Sequence, residues 1–154
     1  MRESMIYTEY DSPVGKLFLA SDGSALKALG FGNAPEETDY DPVLEMAKIW
    51  LDDYFFGRFR EPWFPLAPEG TVFRQKVWQM LLQIPYGETV SYGDLARKLG
   101  KTMSAQAVGQ AVGKNPIAIL IPCHRVVGAK GQLTGYAWGV EKKKWLLDLE
   151  ASRE

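Results

Sequence analysis

Cys123 is the one cysteine in the chain, and His124, the one histidine, follows it directly. They sit in Ile119-Leu120-Ile121-Pro122-Cys123-His124-Arg125-Val126-Val127, apolar on both sides of the polar trio. A solitary cysteine among apolar residues is ordinarily a core thiol. A thiolate nucleophile needs a base or a positive field to lower its pKa, and His124 and Arg125 offer one of each. On an extended segment, adjacent side chains point to opposite faces. A bridging water or a local turn would then have to connect His124 to the sulfur. Pro122 and the pair Val126-Val127 would hold the segment stiff around the thiol. One cysteine cannot form an internal disulfide, and one cysteine with one histidine cannot complete a four-ligand zinc site. The expected chemistry is a reduced cysteine nucleophile with no metal and no cofactor.

The elements that must position this segment divide the chain in two. Tyr7–Tyr10, Lys16–Ala20 and Leu26–Phe31 read as strands, separated by Ser12-Pro13-Val14-Gly15 and Asp22-Gly23 turn chemistry. Asp41-Pro42 opens a helix with an apolar face of Leu44, Ala47, Ile49, Trp50, Leu51 and Tyr54, stopped by Gly57. Phe59–Pro68 is an aromatic and proline-rich connector, with a boundary near Gly70. Thr71–Leu82 reads as a helix with Val72, Val77, Met80 and Leu81 inward, halted by Ile84-Pro85-Tyr86-Gly87. Ser91 caps the next helix, with Asp94 as capping-box partner and Gly100 at its end. Ser104 caps a third, Ala105–Gly113. Two short helices around a tight Gly100–Met103 turn match a helix-turn-helix, a pattern shared with αα-hairpins. Ile117–Ile121 reads as a buried strand or extended segment. The last helix, Val140–Leu149, is expected to bury Trp145, Leu146 and Leu149. The fold class is therefore α+β: residues 1–70 a small α/β support domain with a short antiparallel sheet, residues 71–154 a mainly helical domain.

The third helix alternates Ala105, Ala107, Gly109, Ala111 and Gly113 with Gln106, Val108, Gln110 and Val112. Small side chains allow close approach, either of a neighbouring helix or of a nucleic-acid groove, and glycine inside a helix costs about 1 kcal/mol relative to alanine. Charge is uneven as well. Residues 1–70 carry six basic and thirteen acidic side chains, residues 71–154 twelve basic and six acidic. A basic half suggests an anionic partner, although mutual attraction of the halves would look the same. The longest apolar run, Ile117–Ile121, is too short to cross a membrane, and no signal-peptide-length apolar stretch follows the first residues. A cytoplasmic location is expected.

Around Pro122-Cys123-His124-Arg125-Val126 the chain resembles the O6-alkylguanine-DNA alkyltransferases, the methylated-DNA–protein-cysteine methyltransferases. The resemblance runs from about Thr71 to Glu150, through Pro85-Tyr86-Gly87-Glu88-Thr89-Val90-Ser91-Tyr92, Gly113-Lys114-Asn115-Pro116 and Gly135-Tyr136-Ala137-Trp138-Gly139. In residues 1–70 only the Ser-Pro-Val-Gly hairpin and Lys16-Leu17-Phe18-Leu19 look familiar. The resemblance implies single-turnover transfer of an alkyl group from O6-alkylguanine, with O4-alkylthymine as a further substrate, to the protein's own cysteine. It implies double-stranded DNA as partner, entered by a helix-turn-helix from the minor groove with the damaged base flipped out, and a monomeric protein. Carried onto this chain, it implies Cys123 as acceptor and His124 as a water-mediated base held by Glu150. Asn115 would brace the turn before the active-site segment, and Tyr92 would donate to the leaving purine. Main-chain groups of Cys123 and Val126 would meet the exocyclic amine, and the Ala137 N–H would face O6. Tyr136, Trp138 and Gly139 would line the pocket, Trp138 narrowing it against large adducts. Ser91, Ala105, Gln106, Gly109, Lys114 and Arg125 would face DNA.

One position departs from the pattern. The family usually has an arginine on the third helix, which fills the space left by the flipped nucleotide; here that residue is Gln106, which brings no cation. Three other functions compete: a lesion-binding protein without efficient transfer, a cysteine hydrolase, and a helix-turn-helix regulator without chemistry. The intact Cys123 argues against the first. The lack of any distant histidine argues against the second, and the third leaves the cysteine segment unexplained.

Overall fold

The computed structural model describes residues 4–36, 39–100 and 102–152. They form two compact units that divide between Glu69 and Gly70.

In the first unit, β1 (Ile6–Ser12), β2 (Gly15–Ser21) and β3 (Leu26–Phe31) make an antiparallel sheet in sequence order. Ser12 pairs with Gly15 across the first turn, where Gly15 adopts φ +119°, a conformation that favours glycine. The helix α1 (Pro42–Phe55) begins where its local chemistry predicts, the Asp41 carboxylate accepting from the Leu44 N–H. Val43, Leu44, Ala47, Trp50, Leu51 and Tyr54 are buried with Leu17, Leu19, Leu26 and Leu29 of the sheet. Ile49, expected on that face, is half exposed, because it lies out of phase with the buried row. The aromatic connector is tied to β3: Leu26 N–H donates to Pro65 O at 2.9 Å and Ala67 N–H to Leu26 O at 2.9 Å.

The second unit is built on α2 (Val72–Leu81), α3 (Tyr92–Leu99), α4 (Ala105–Gly113) and α5 (Val140–Ala151). α2 buries Val77, Trp78 and Leu81, while Val72, expected inward, stands exposed in the first turn. The Trp78 indole N–H donates to Ala111 O of α4 at 2.9 Å, so a large apolar side chain also satisfies a buried carbonyl. A methyl group on Gly70 would lie 2.5 Å from the Trp78 ring, which makes glycine a packing requirement there.

α3 opens with a complete capping box: Ser91 Oγ accepts from Asp94 N–H, and the Asp94 carboxylate accepts from Ser91 N–H. α4 opens with Ser104 Oγ accepting from Ala107 N–H. These two helices pack together around the short turn at Gly100–Met103. Lys101, inside that turn, lies outside the described residues. No helix among the described residues is long and apolar enough to cross a membrane.

Candidate active site

The segment before Cys123 is not extended. Residues 117–121 form successive buried turns, with Ile121 N–H donating to Ile117 O at 3.1 Å and Leu120 N–H to Ala118 O at 2.7 Å. Ile119 sits at φ +70°, a left-handed conformation that costs a β-branched residue about 1–2 kcal/mol. Asn115 offsets that cost. Its Oδ1 accepts from Ile117 N–H at 3.0 Å and its Nδ2 donates to Ile121 O at 2.8 Å, closing the turn from inside. An apolar run of this length looks like a strand because burial is legible in composition, whereas the bonds from one asparagine side chain are not.

Cys123–Arg125 then forms a single 3₁₀ turn, correcting the extended geometry expected for these residues. It continues into β5 (Val126–Val127), which pairs in parallel with β4 (Val90–Ser91). That pairing ties the cysteine turn to the N-terminus of α3, one residue before Tyr92. Cys123 is 7% exposed, and its carbonyl already accepts from the Val126 N–H.

His124, Arg125 and Glu150 form a buried charged cluster, none of them more than 3% exposed. Glu150 is the penultimate residue of α5. Its carboxylate meets His124 Nε2 at 2.6 Å and Arg125 Nε and Nη2 at 2.8 and 3.1 Å. Burial alone would raise the Glu150 pKa, but His124 and then Arg125 outweigh it and hold the carboxyl down at about 2. An anionic Glu150 accepts, so Nε2 of His124 carries the proton and Nδ1 carries the lone pair. Nδ1 has no hydrogen-bond partner among the described residues.

Burial lowers the His124 pKa below its ordinary 6.5, against the pull of Glu150, so the ring is neutral near pH 7. Burial likewise pushes the Cys123 thiol above 9, opposed by Asn115 and by the charge of Lys143. The resting site thus holds a neutral thiol and a neutral imidazole with one free basic nitrogen.

Arg125 was expected to face DNA and does not. Its guanidinium is spent on Glu150 and on Ile84 O, 2.8 Å from Nη1. An arginine buried with a carboxylate partner is a structural clamp and is not available to a phosphate. The inward face of α5 also differs from expectation. Lys143, Leu146 and Glu150 are buried, whereas Trp145 and Leu149 are only half-buried. The helix turns its charged row inward because Arg125 and His124 require a carboxylate there.

A cleft of about 620 Å³ is lined by Tyr92, Ala105, Gln106, Gly109, Gly113, Thr134, Gly135, Tyr136 and Ala137. It is of the size that admits a small organic ligand. α4 contributes Ala105, Gln106, Gly109 and Gly113, with Ala105 and Gln106 exposed. Tyr92 and Tyr136 stay protonated, held above 10 chiefly by burial. The Tyr92 hydroxyl donates to the Thr134 and Gly135 carbonyls, both at 3.3 Å.

Other expected residues fall elsewhere. Trp138 and Gly139 are not among those lining the cleft, so the expected narrowing by Trp138 has no support in this geometry. Gly139 instead caps α5 at φ +110°, which turns the chain away into the helix. Lys114 is exposed just past α4, and Ser91 has its oxygen in the α3 cap. Val126 is fully buried.

Two features lie outside the expected site residues: Thr134, in the cleft lining, and Lys143, buried on α5, which donates to the Thr134 carbonyl. Lys143 had a signal, since it shares one helical face with Leu146 and Glu150 once Glu150 is taken as inward.

The same residues are matched by known families. Residues 72–152 match the model for the DNA-binding domain of 6-O-methylguanine DNA methyltransferase, and residues 5–68 that for its ribonuclease-like domain. A methylated-DNA–protein-cysteine methyltransferase of Methanosarcina acetivorans is 42% identical, covering 96% of this chain and 99% of its own. One from Mycobacterium bovis is 47% identical, covering 96% and 93%. The crystal structure of Mycobacterium tuberculosis OGT in complex with DNA superposes with TM-score 0.87 at 47% identity, covering 96% of this chain and 93% of that one. This chain belongs to the 6-O-methylguanine DNA methyltransferase family.

Proposed function

We propose that the chain repairs DNA by direct, single-turnover transfer of an alkyl group from O6-alkylguanine to Cys123. The observation that carries this is the cluster Cys123-His124-Arg125 with Glu150: a buried thiol beside an imidazole whose second nitrogen is clamped by a carboxylate. Burial keeps the thiol dormant, which protects a group that can be used only once. With an alkylated base seated, the thiol proton passes through water to His124 Nδ1, and the sulfur attacks the alkyl carbon. The S–C bond forms as the C–O6 bond breaks, and the electron pair returns to the purine. Tyr92 donates its proton to the leaving ring and regains one, through water, from the His124 imidazolium, so that the proton lost by the thiol ends on guanine. For this the hydroxyl must leave the Thr134 and Gly135 carbonyls, and its long 3.3 Å bonds make that exchange cheap.

The partner is duplex DNA, approached from the minor groove by α4, with the lesion flipped into the cleft. Support comes from the two glycines of α4. A methyl on Gly109 would meet the Tyr92 ring at an ordinary 3.6 Å, and one on Gly113 would meet nothing within 4 Å. Packing within the chain requires neither glycine, whereas close approach of a bulky ligand would. The protein works as a monomer in the reducing cytoplasm, residues 1–70 support the catalytic domain, and O4-alkylthymine is a second substrate.

Incubation with a duplex containing O6-methylguanine, followed by intact mass spectrometry, tests this. The expected result is one added methyl group per chain and none on Cys123→Ala. Release of many equivalents of product, or no mass change, would sink the proposal.

A further inference from the structure

A second cavity, of about 240 Å³, lies in the helical unit and shares no lining residue with the larger cleft. Met80, Ile84, Val90 and Leu95 give it an apolar wall, and Glu88 and Lys98 bring its two charges. Apolar cavities of about 150 Å³ hold a benzene-sized guest, and drug-sized sites begin near about 300 Å³. A volume of 240 Å³ therefore suits one aromatic ring with a short tail.

The charge of that guest follows from the rim. Glu88 is exposed, and its carboxylate pairs with no cation among the described residues. The cavity also lies at the C-terminal end of α2, where the helix dipole is negative. Lys98 stands in the last turn of α3, where a cation complements the terminal carbonyls of its own helix. Arg97, the other cation of that turn, is paired with Asp94 and leaves this place to Lys98. The lysine stem adds apolar wall while its charge serves α3. Glu88 is the rim charge without such a use.

We propose that this cavity binds a small aromatic ammonium ion, with its ring against Met80, Ile84, Val90 and Leu95 and its nitrogen on Glu88. The Met80 thioether adapts readily to the edge of an aromatic guest. The same wall carries part of the active-site support. Ile84 O accepts from Arg125 at 2.8 Å, and Val90 pairs with Val126. A guest packs directly against the segment that holds the buried cluster, so its binding energy adds to the stability of that unit.

Three probes with one body and different heads provide the test: phenethylammonium, 2-phenylethanol and 3-phenylpropionate. Each is titrated at pH 7 and low salt into the full chain carrying ¹³C-methyl methionine. Met80 is assigned among the five methionines by its loss in Met80→Leu. The ammonium is expected to move the Met80 resonance with Kd on the order of 1 mM, the range for so few atoms, and to leave that of Met103 in place. It should bind about threefold more tightly than the alcohol, the modest margin of an exposed ion pair, and the carboxylate should bind most weakly. That margin closes at high salt. Glu88→Gln, an exposed and conservative change, should bring ammonium and alcohol to one affinity while Met80 still responds. A Met80 resonance that stays in place with all three probes overturns the site. Binding of the carboxylate as tightly as the ammonium overturns the charge assignment, as does an ammonium preference that survives Glu88→Gln.

Discussion

Replacing Glu150 with glutamine removes one charge from the buried cluster while keeping its shape, so no cavity opens. The carboxylate meets His124 at 2.6 Å and Arg125 at 2.8 and 3.1 Å, and its pKa falls from 4.5 to about 2. That difference corresponds to about 3 kcal/mol of stability. Because the folded-state value is depressed, this contribution is complete above pH 4.5 and fades as the pH falls toward 2. In Glu150→Gln it is lost at pH 7 as well, and Arg125 is left as a buried cation without a counter-charge. The expected loss is about 3–5 kcal/mol, read as a shifted urea midpoint by tryptophan fluorescence. The glutamine amide can donate to His124 Nε2, which moves the ring proton to Nδ1 and leaves no base for the thiol. Methyl transfer, measured by rapid quench where the variant is folded, should fall on the order of 10²-fold. Arg125→Leu added to Glu150→Gln removes the orphaned cation, so stability should partly return while transfer does not. Recovery of transfer in the double variant, or a wild-type rate in Glu150→Gln, would refute the assignment of Glu150 as the group that orients His124.

Three further outcomes are expected. Gly109→Ala should stabilise the free protein by about 0.5–1 kcal/mol, because the added methyl has room, yet weaken duplex binding in a fluorescence-anisotropy titration. Gln106→Arg should tighten duplex binding and steepen its salt dependence by about one phosphate contact; an unchanged affinity and rate would mean that position 106 does not enter the stack. The transfer rate should stay level between pH 6.5 and 9 and fall in acid. Burial holds His124 below 6.5, so the base survives until the pH drops through that lowered value. The same sign makes protonation of His124 destabilising, and urea midpoints should decline below pH 6.5.

Much of this protein is written in local chemistry. Asp41, Ser91 with Asp94, and Ser104 announce helix starts because a cap and the N–H groups it satisfies lie within four residues of each other. The hairpin at Ser12–Gly15 and the run Pro122-Cys123-His124-Arg125 are legible for the same reason, as is Asn115 before its proline. What escaped was the destination of charges. Arg125 reads as a surface cation until Glu150, 25 residues away, is brought to 2.8 Å, and Lys143 reads as solvated until the Thr134 carbonyl meets it. The turns at 117–121 read as a strand because their bonds come from the Asn115 side chain and from backbone within the segment, and not from a neighbouring strand. Burying a charge or an unpaired backbone group is tolerable only with a partner in place, and no window of sequence contains partners that folding alone brings together. Cys123 and its base could therefore be picked out from their neighbours in the chain, while the tautomer of His124 is decided by Glu150, which α5 brings back onto it.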